Sequence, residues 1–270
     1  MKTILITGST DGIGKLTAIK LAKDGHQIYL HGRSLEKLAN VISEIKQESN
    51  NPNIEGFVAD FSNLEAVKSM VDEIKAKLSK IDVLINNAGI FKSSIDHTKY
   101  GDIRIVVNYL APYIVTKSLM PLLEMGNESR IVNLSSAAQS PVSLDAITGV
   151  KISNVNSAYA QSKLALTMWS FYLASQQDKV TVIAVNPGSL LNTRMVAEAY
   201  GQHWSPATKG SDILYDLAVS DEYKDETGKY FDNDKGSSKG VFGPAHQDAY
   251  NQDKILALIH KTEEIINLII

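Results

Sequence analysis

Short runs of β-branched and aliphatic residues alternate with longer amphipathic stretches along most of this chain. Strand candidates fall at 3–7, 26–31, 54–59, 83–86, 130–134 and 180–186. Helical patterns at about 12–23, 34–48, 63–80, 101–125 and 158–176 separate them. This alternation predicts βαβ units, and so an α/β, Rossmann-like, doubly wound parallel sheet with helices on both faces. Strands in such a sheet are covered on both sides, which is why Val83-Leu84-Ile85 reads as an unbroken apolar run. No repeat, linker or low-complexity tract interrupts the 270 residues, and the 44% apolar fraction is ample for a core. We expect a single domain over 1–270, with an insertion at about 143–155. A C-terminal extension at about 220–270 carries a candidate edge strand at Lys229-Tyr230-Phe231 and a final helix near 250–267.

Net charge is −3 and there is no basic cluster, which argues against nucleic acid or an anionic membrane as partner. The absence of cysteine excludes disulfides, thiolate catalysis and Cys-based metal sites, and it fits a reducing, cytoplasmic location. Six scattered histidines form no H-x-x-x-H pair, so no metal is expected. No run reaches the roughly 18 consecutive apolar residues needed to span a bilayer. A strand-like run starts at Lys2, with no signal-peptide pattern ahead of it.

The first strand leads into Thr7-Gly8-Ser9-Thr10-Asp11-Gly12-Ile13-Gly14 and then a helix. Glycines permit a tight turn and close backbone approach, and free amides at a helix N-terminus favour an anion. That combination suits a dinucleotide pyrophosphate better than a mere packing corner. Further along, Tyr159 and Lys163 stand four apart on one helix face. A free phenol ionises near pH 10, and bringing it to about 7 takes roughly 4 kcal/mol. An ammonium about 4 Å away at an effective dielectric of 20 supplies that much, so Lys163 is expected to acidify Tyr159. Desolvation acts the other way, and a second positive charge would help. Taken alone, the pair also fits an amphipathic helix with a snorkelling lysine.

Five motifs together resemble the short-chain dehydrogenase/reductase family, from about residue 2 to 190. They are the G-x-x-x-G-x-G loop, Asn86-Asn87-Ala88-Gly89, Asn133-Leu134-Ser135-Ser136, Tyr159-x-x-x-Lys163 and Asn186-Pro187-Gly188. The resemblance implies that Tyr159 is the acid/base, that Lys163 tunes it and holds the nicotinamide ribose, and that Ser136, rather than Ser135, orients the reacting oxygen. It implies that Asn108 holds a proton-relay water. It also puts the cofactor against Gly8, Thr10, Asp11, Gly12, Ile13 and Gly14, against Asn87, Ala88 and Gly89, and under Pro187, Gly188 and Thr193. Asp60, with Phe61, matches the adenine position; Asp60 could equally cap the next helix, in competition with Ser62.

Most NAD sites carry an acidic residue about 20 positions past the loop. Here Tyr29-Leu30-His31-Gly32-Arg33-Ser34 has none before Glu36. Arg33 offers a planar fork for a 2′-phosphate, Ser34 a hydrogen bond and Lys15 further charge, unless Arg33 merely starts a solvated helix. We expect NADP(H) in preference to NAD(H), and a carbonyl/alcohol interconversion by hydride transfer. A silent NADP-binding regulator or scaffold, or a lyase or epimerase of the wider superfamily, are the alternatives.

The 22 residues between Ser136 and Tyr159 exceed the usual family gap. They read as a specificity flap or as a tolerated insertion. With Thr98-Lys99-Tyr100-Gly101 and Thr227-Gly228-Lys229-Tyr230-Phe231 they resemble the retinol-dehydrogenase-like branch. Phe91, Gln139, Leu190, Leu191, Met195, Tyr200 and Trp204 are candidate pocket residues, mostly apolar, which suggests a small lipophilic substrate. Leu191 and Met195 could equally be core. The helices bearing Asn108 and Tyr159 are apolar on more than one face. In the family the outer face often builds a four-helix interface, so homodimer and homotetramer stay open, as does a monomer covered by the long segment.

Overall fold

The computed structural model describes residues 1–236 and 239–269. Ser237, Ser238 and Ile270, which belong to the expected extension, lie outside the described residues. The chain begins β1 (Thr3–Ile6), α1 (Gly12–Lys23), β2 (Gln27–Gly32), α2 (Leu35–Ser49), β3 (Ile54–Val58), α3 (Leu64–Lys77) and β4 (Val83–Asn86). A small hairpin follows, β5 (His97–Thr98) and β6 (Gly101–Asp102). One continuous helix comes next, built from α4 (Ile103–Ile105), a π-turn at Val106–Leu110 and α5 (Ala111–Glu124). Then come β7 (Ser129–Leu134), α6 (Leu144–Ile147), α7 (Val155–Ser175), β8 (Val180–Asn186), α8 (Arg194–Tyr200), α9 (Ala207–Val219), β9 (Lys229–Asp232), β10 (Val241–Gly243) and α10 (Gln252–Ile266).

The main sheet runs β10-β9-β8-β7-β4-β1-β2-β3. Every pairing is parallel except β10 on β9. The expected all-parallel sheet is therefore mixed at one edge, and Lys229-Tyr230-Phe231 lies one strand in from it. Strand order reverses between β1 and β4, so the crevice at their carboxyl ends is the natural ligand site. Side-chain caps start α1 at Asp11 and α2 at Ser34, close to where expected, while Asn154 caps α7, which starts at Val155, three residues before the expected 158. Asn63 caps α3, accepting from the Glu65 and Ala66 amides. Neither Asp60 nor Ser62 does so; Asp60 instead holds Ser62 through its amide and hydroxyl.

Two cores form, one on each face of the sheet. Ile4, Ile6, Val83 and Val132 pack with α1, α2 and α9, while Leu5, Leu84 and Ile131 pack with α3, α5 and α7. The helix Ile103–Glu124 is long and apolar enough by length and composition to cross a membrane, yet 72% of its span is buried inside the fold. It starts at Ile103 rather than near 101 because Gly101 and Asp102 pair with Thr98 and His97. Asp102 then caps it and grips the buried Arg104 side chain at 2.8 Å through both carboxylate oxygens.

The extra segment at 143–155 is docked rather than a free flap. Ser143 caps α6 and its amide bonds the Gln161 side chain, Ile147 is fully buried, and Gly149 O meets His97 Nε2 at 2.9 Å. The outward face of the α5 and α7 helices is covered by α10 instead. Ile255, Leu258, Ile259 and Ile266 supply its apolar stripe. Tyr109 and Thr262 share a 2.7 Å hydrogen bond, and Glu263 takes both Lys117 Nζ and the Tyr113 hydroxyl.

Candidate active site

Gly8 and Gly12 adopt left-handed φ of +64° and +55°. A Cβ on Gly8 would stand 2.6 Å from Ala88 Cα, and one on Gly14 would stand 2.4 Å from Asn87 Nδ2. These contacts explain the glycine spacing: Asn87 donates to both Thr7 O and Gly8 O, and the Ala88 amide donates to Thr7 Oγ1, stapling the loop to the end of β4. Glycine 12 differs, because its missing Cβ would face only Thr193 at 3.8 Å. A cradle is left there between the loop and the segment after β8. Ile13 packs its side chain toward Gly210 of α9, so only its backbone faces the crevice. Its amide and that of Gly14 belong to the first helical turn, where a phosphate is favoured.

His31 is a site residue that sequence reasoning passed over. Buried in β2, it accepts the Gly8 amide on Nδ1 at 3.0 Å and reaches Ala59 O with Nε2 at 3.0 Å. Burial lowers its pKa to about 4, so the ring is neutral and its tautomer is set by these two partners. Phe61 stacks on it, ring centres 4.1 Å apart. Asp60 is exposed at the end of β3. Arg33 is exposed and makes no ion pair among the described residues. Ser34 accepts the Lys37 amide, and its own proton stays free to donate. Lys37, also missed, lies 2.8 Å from Asp11, whose carboxyl is held below its usual range by that hydrogen bond. Lys15 is turned away onto Glu44.

At the far end of the crevice, Tyr159 is half-buried and close to the Ser136 hydroxyl, which accepts the Ala138 amide at 3.1 Å. Lys163 sits 5.6 Å from the Tyr159 ring centre, and its Nζ donates to Leu134 O at 2.7 Å. The two serines point different ways. Ser135 turns inward to Thr167 and the Lys163 carbonyl, whereas Ser136 faces the phenol. Gly89 lies between Lys163 and Asn108; a Cβ there would be 3.5 Å from the ammonium. Asn108, in the π-turn, spends its side chain on the Ile90 amide, the Ile90 carbonyl and Ser162, none of it on Lys163.

The expected acidification of Tyr159 is not present in the protein itself. Burial pushes its phenol up to about 12, against the lowering effect of the nearby Ser136 hydroxyl. Burial likewise pulls the Lys163 ammonium down to about 8. Both shifts disfavour the charged form of each group.

The family model for short chain dehydrogenases matches residues 2–203. The chain belongs to that family. Mouse retinol dehydrogenase 13 is 31% identical over 252 residues, covering 86% of this chain and 75% of its own length. Human polyprenol dehydrogenase is 32% identical, covering 71% of this chain and 61% of its own. Among solved structures, a short chain dehydrogenase from Escherichia coli complexed with NADPH aligns with TM-score 0.70 at 27% identity, over 86% of this chain and 95% of that one. A Mycobacterium paratuberculosis protein aligns with TM-score 0.80 over 98% of this chain and 93% of its own, at 23% identity, a likeness in fold.

Within this short-chain dehydrogenase the candidate pocket residues separate into two groups. Phe91 is buried and packs with tilted rings against both Tyr159, at 4.8 Å, and Tyr200, at 5.4 Å, forming an aromatic wall beside the phenol. Trp204 is exposed, Met195 is half-buried and Leu190 holds a φ of +49°. Leu191 is core, wedged against Gly188 and Gly210. Gln139 is structural too: its amide donates to Ser136 O and accepts the His246 amide, tying the Ser136 loop to the C-terminal part.

Proposed function

We propose that this short-chain dehydrogenase uses NADP(H) to interconvert a carbonyl and an alcohol on a small lipophilic substrate. The observation that carries the reading is Tyr159 with Lys163 5.6 Å from its ring centre and Ser136 close by, at the carboxyl end of β7 and across the crevice from the Gly8–Gly14 cradle. A nicotinamide cofactor bound there would supply or accept the hydride. Arg33 and Ser34, with Lys37 beside them, stand where a 2′-phosphate would lie, which favours NADP(H). Gly8 to Gly14 and Thr193 would hold the pyrophosphate, Asn87 to Gly89 the central part, and Pro187 with Gly188 the nicotinamide side. Asp60 and Phe61 would face the adenine.

Ser136 orients the substrate oxygen and Tyr159 gives it a proton. A phenol with pKa about 12 is protonated at neutral pH and a weak acid, so the bound cofactor's charge would have to ease its ionisation for efficient proton transfer. Lys163, 5.6 Å from the Tyr159 ring centre, would hold the cofactor ribose. Asn108 serves by fixing the Ile90 backbone and Ser162, next to both groups. Phe91 and Tyr200 favour an apolar or aromatic substrate group. The test is loss of NADPH absorbance against a panel of lipophilic aldehydes and ketones. Tyr159→Phe should cut turnover by about 10²–10⁴-fold while NADPH affinity stays within about twofold. Turnover close to wild type in that variant would sink the assignment.

A further inference from the structure

Two turns lie side by side at the carboxyl edge of the sheet, one leaving β8 and one leaving β9. Asn186 and Asp232 end these strands in register. The first turn, Pro187 to Leu190, has an unusual backbone: Gly188 has φ +121° and Leu190 φ +49°. Glycine takes such a φ readily, but Leu190 does so at a cost in conformational energy and needs surroundings that hold it there. What holds it here is the second turn.

Asp234 takes the Ser189 amide on both carboxylate oxygens at 3.0 Å each, the Ser189 hydroxyl at 2.5 Å and the Asn186 side-chain amide at 2.9 Å. Lys209 stands 3.5 Å away. Beside it, Asn233 Nδ2 donates to Pro187 O at 2.9 Å and to Lys209 O at 3.1 Å. Burial works against the charge on Asp234, yet the hydrogen bonds from Ser189 and Asn186 hold its carboxyl below the usual range. One carboxylate thus sets the shape of the strand-end turn from outside it, and it lies beyond residues 2–203, the part that the family model matches.

We propose that Asp234, assisted by Asn233, is the positioning residue for the nicotinamide end of the cofactor site. This rests on the proposed function, in which the turn after β8 faces the nicotinamide. With the clamp in place, Pro187 and Gly188 present one backbone surface to the ring, and Thr193 is delivered to Gly12 at the other end of the segment. Without it, the turn relaxes toward ordinary φ values and the ring loses its seat. The adenosine half, held by β1, β2 and β4, is untouched.

The test compares two probes on the full chain, NADPH and adenosine 2′,5′-bisphosphate, which lacks the nicotinamide. Losing a charged hydrogen-bond acceptor in Asp234→Ala should weaken NADPH by about tenfold or more, with kcat falling as well. Affinity for the bisphosphate should stay within about twofold. Asp234→Asn keeps an acceptor for the Ser189 amide and should recover part of the loss. Ser189→Ala, which leaves Asp234 in place, should give a smaller effect in the same direction, and it serves if Asp234→Ala does not fold. Parallel weakening of both probes, or no weakening of NADPH, overturns the proposal. Failure of the wild-type chain to bind either probe overturns the reading of the site itself, and is recognised before any variant is made.

Discussion

Lys163 shows the tension at this site most plainly. A buried ammonium with a single carbonyl partner costs the fold stability, and its pKa near 8 records that cost. Replacing it with an apolar chain of similar length should therefore stabilise the protein without cofactor while ending turnover. At pH 7 we expect Lys163→Met to raise the thermal midpoint by roughly 5 °C. The sign with pH follows from linkage. Folded Lys163 loses its proton near pH 8, the unfolded one only near pH 10.4, so the wild-type chain gains stability between those values and the difference should close there. Scanning calorimetry at pH 7 and pH 9.5 decides it; a lower midpoint for the variant at pH 7 refutes it. For cofactor choice, Arg33→Ala should lower kcat/KM with NADPH by about 10- to 100-fold and leave NADH almost unaffected. Equal losses with both cofactors would place Arg33 outside the site. The sequence showed these residues through their spacing and their position after strands. It did not show their ionisation, because the groups that bury Tyr159, Phe91 and Tyr200, come from 68 positions before it and 41 after it. His31 was equally hidden: one polar residue in an apolar strand does not announce that it holds the glycine loop.

Among the elements, strands were readable to within about one residue because continuous apolar runs leave little choice in a parallel sheet. Elements with short or mixed patterns were not. The hairpin has two residues per strand, α9 carries Gly210 in its interior and lacks a side-chain cap, and the π-turn changes only the winding of a helix already expected. What locates the hairpin is its ion pair. Arg104 and Asp102 are each 1% exposed, and Asp96 adds a 3.0 Å contact from the loop before β5. Asp102→Ala would leave the guanidinium buried with one exposed partner and remove the cap of α4. We expect a loss of about 3–5 kcal/mol in urea unfolding. A loss below about 1 kcal/mol, the range of a surface pair, would show that the pair is dispensable.

At the scale of the whole molecule, α10 occupies the face of α5 and α7 on which a four-helix dimer would be built. Association through those helices is therefore closed, and the chain should sediment as a monomer unless another surface pairs. Hydrogen exchange in 103–124 and 155–175 should not change with protein concentration. Concentration-dependent protection confined to those helices would contradict this arrangement. The apolar second face of these helices was visible in the sequence; its occupant was not, because the 143–155 segment and α10 were both available. The π-turn adds a constraint of a different kind. Its neighbours Asn108 and Tyr109 point opposite ways, one to the Tyr159–Lys163 helix through Ser162, the other to Thr262 of α10. Each residue in a helix advances the winding by about 100°. Dropping one between 106 and 110 would restore regular winding and re-aim the side chains within that turn. An insertion or deletion there would make the chain choose between the Ser162 contact beside Lys163 and the Thr262 contact of its last helix.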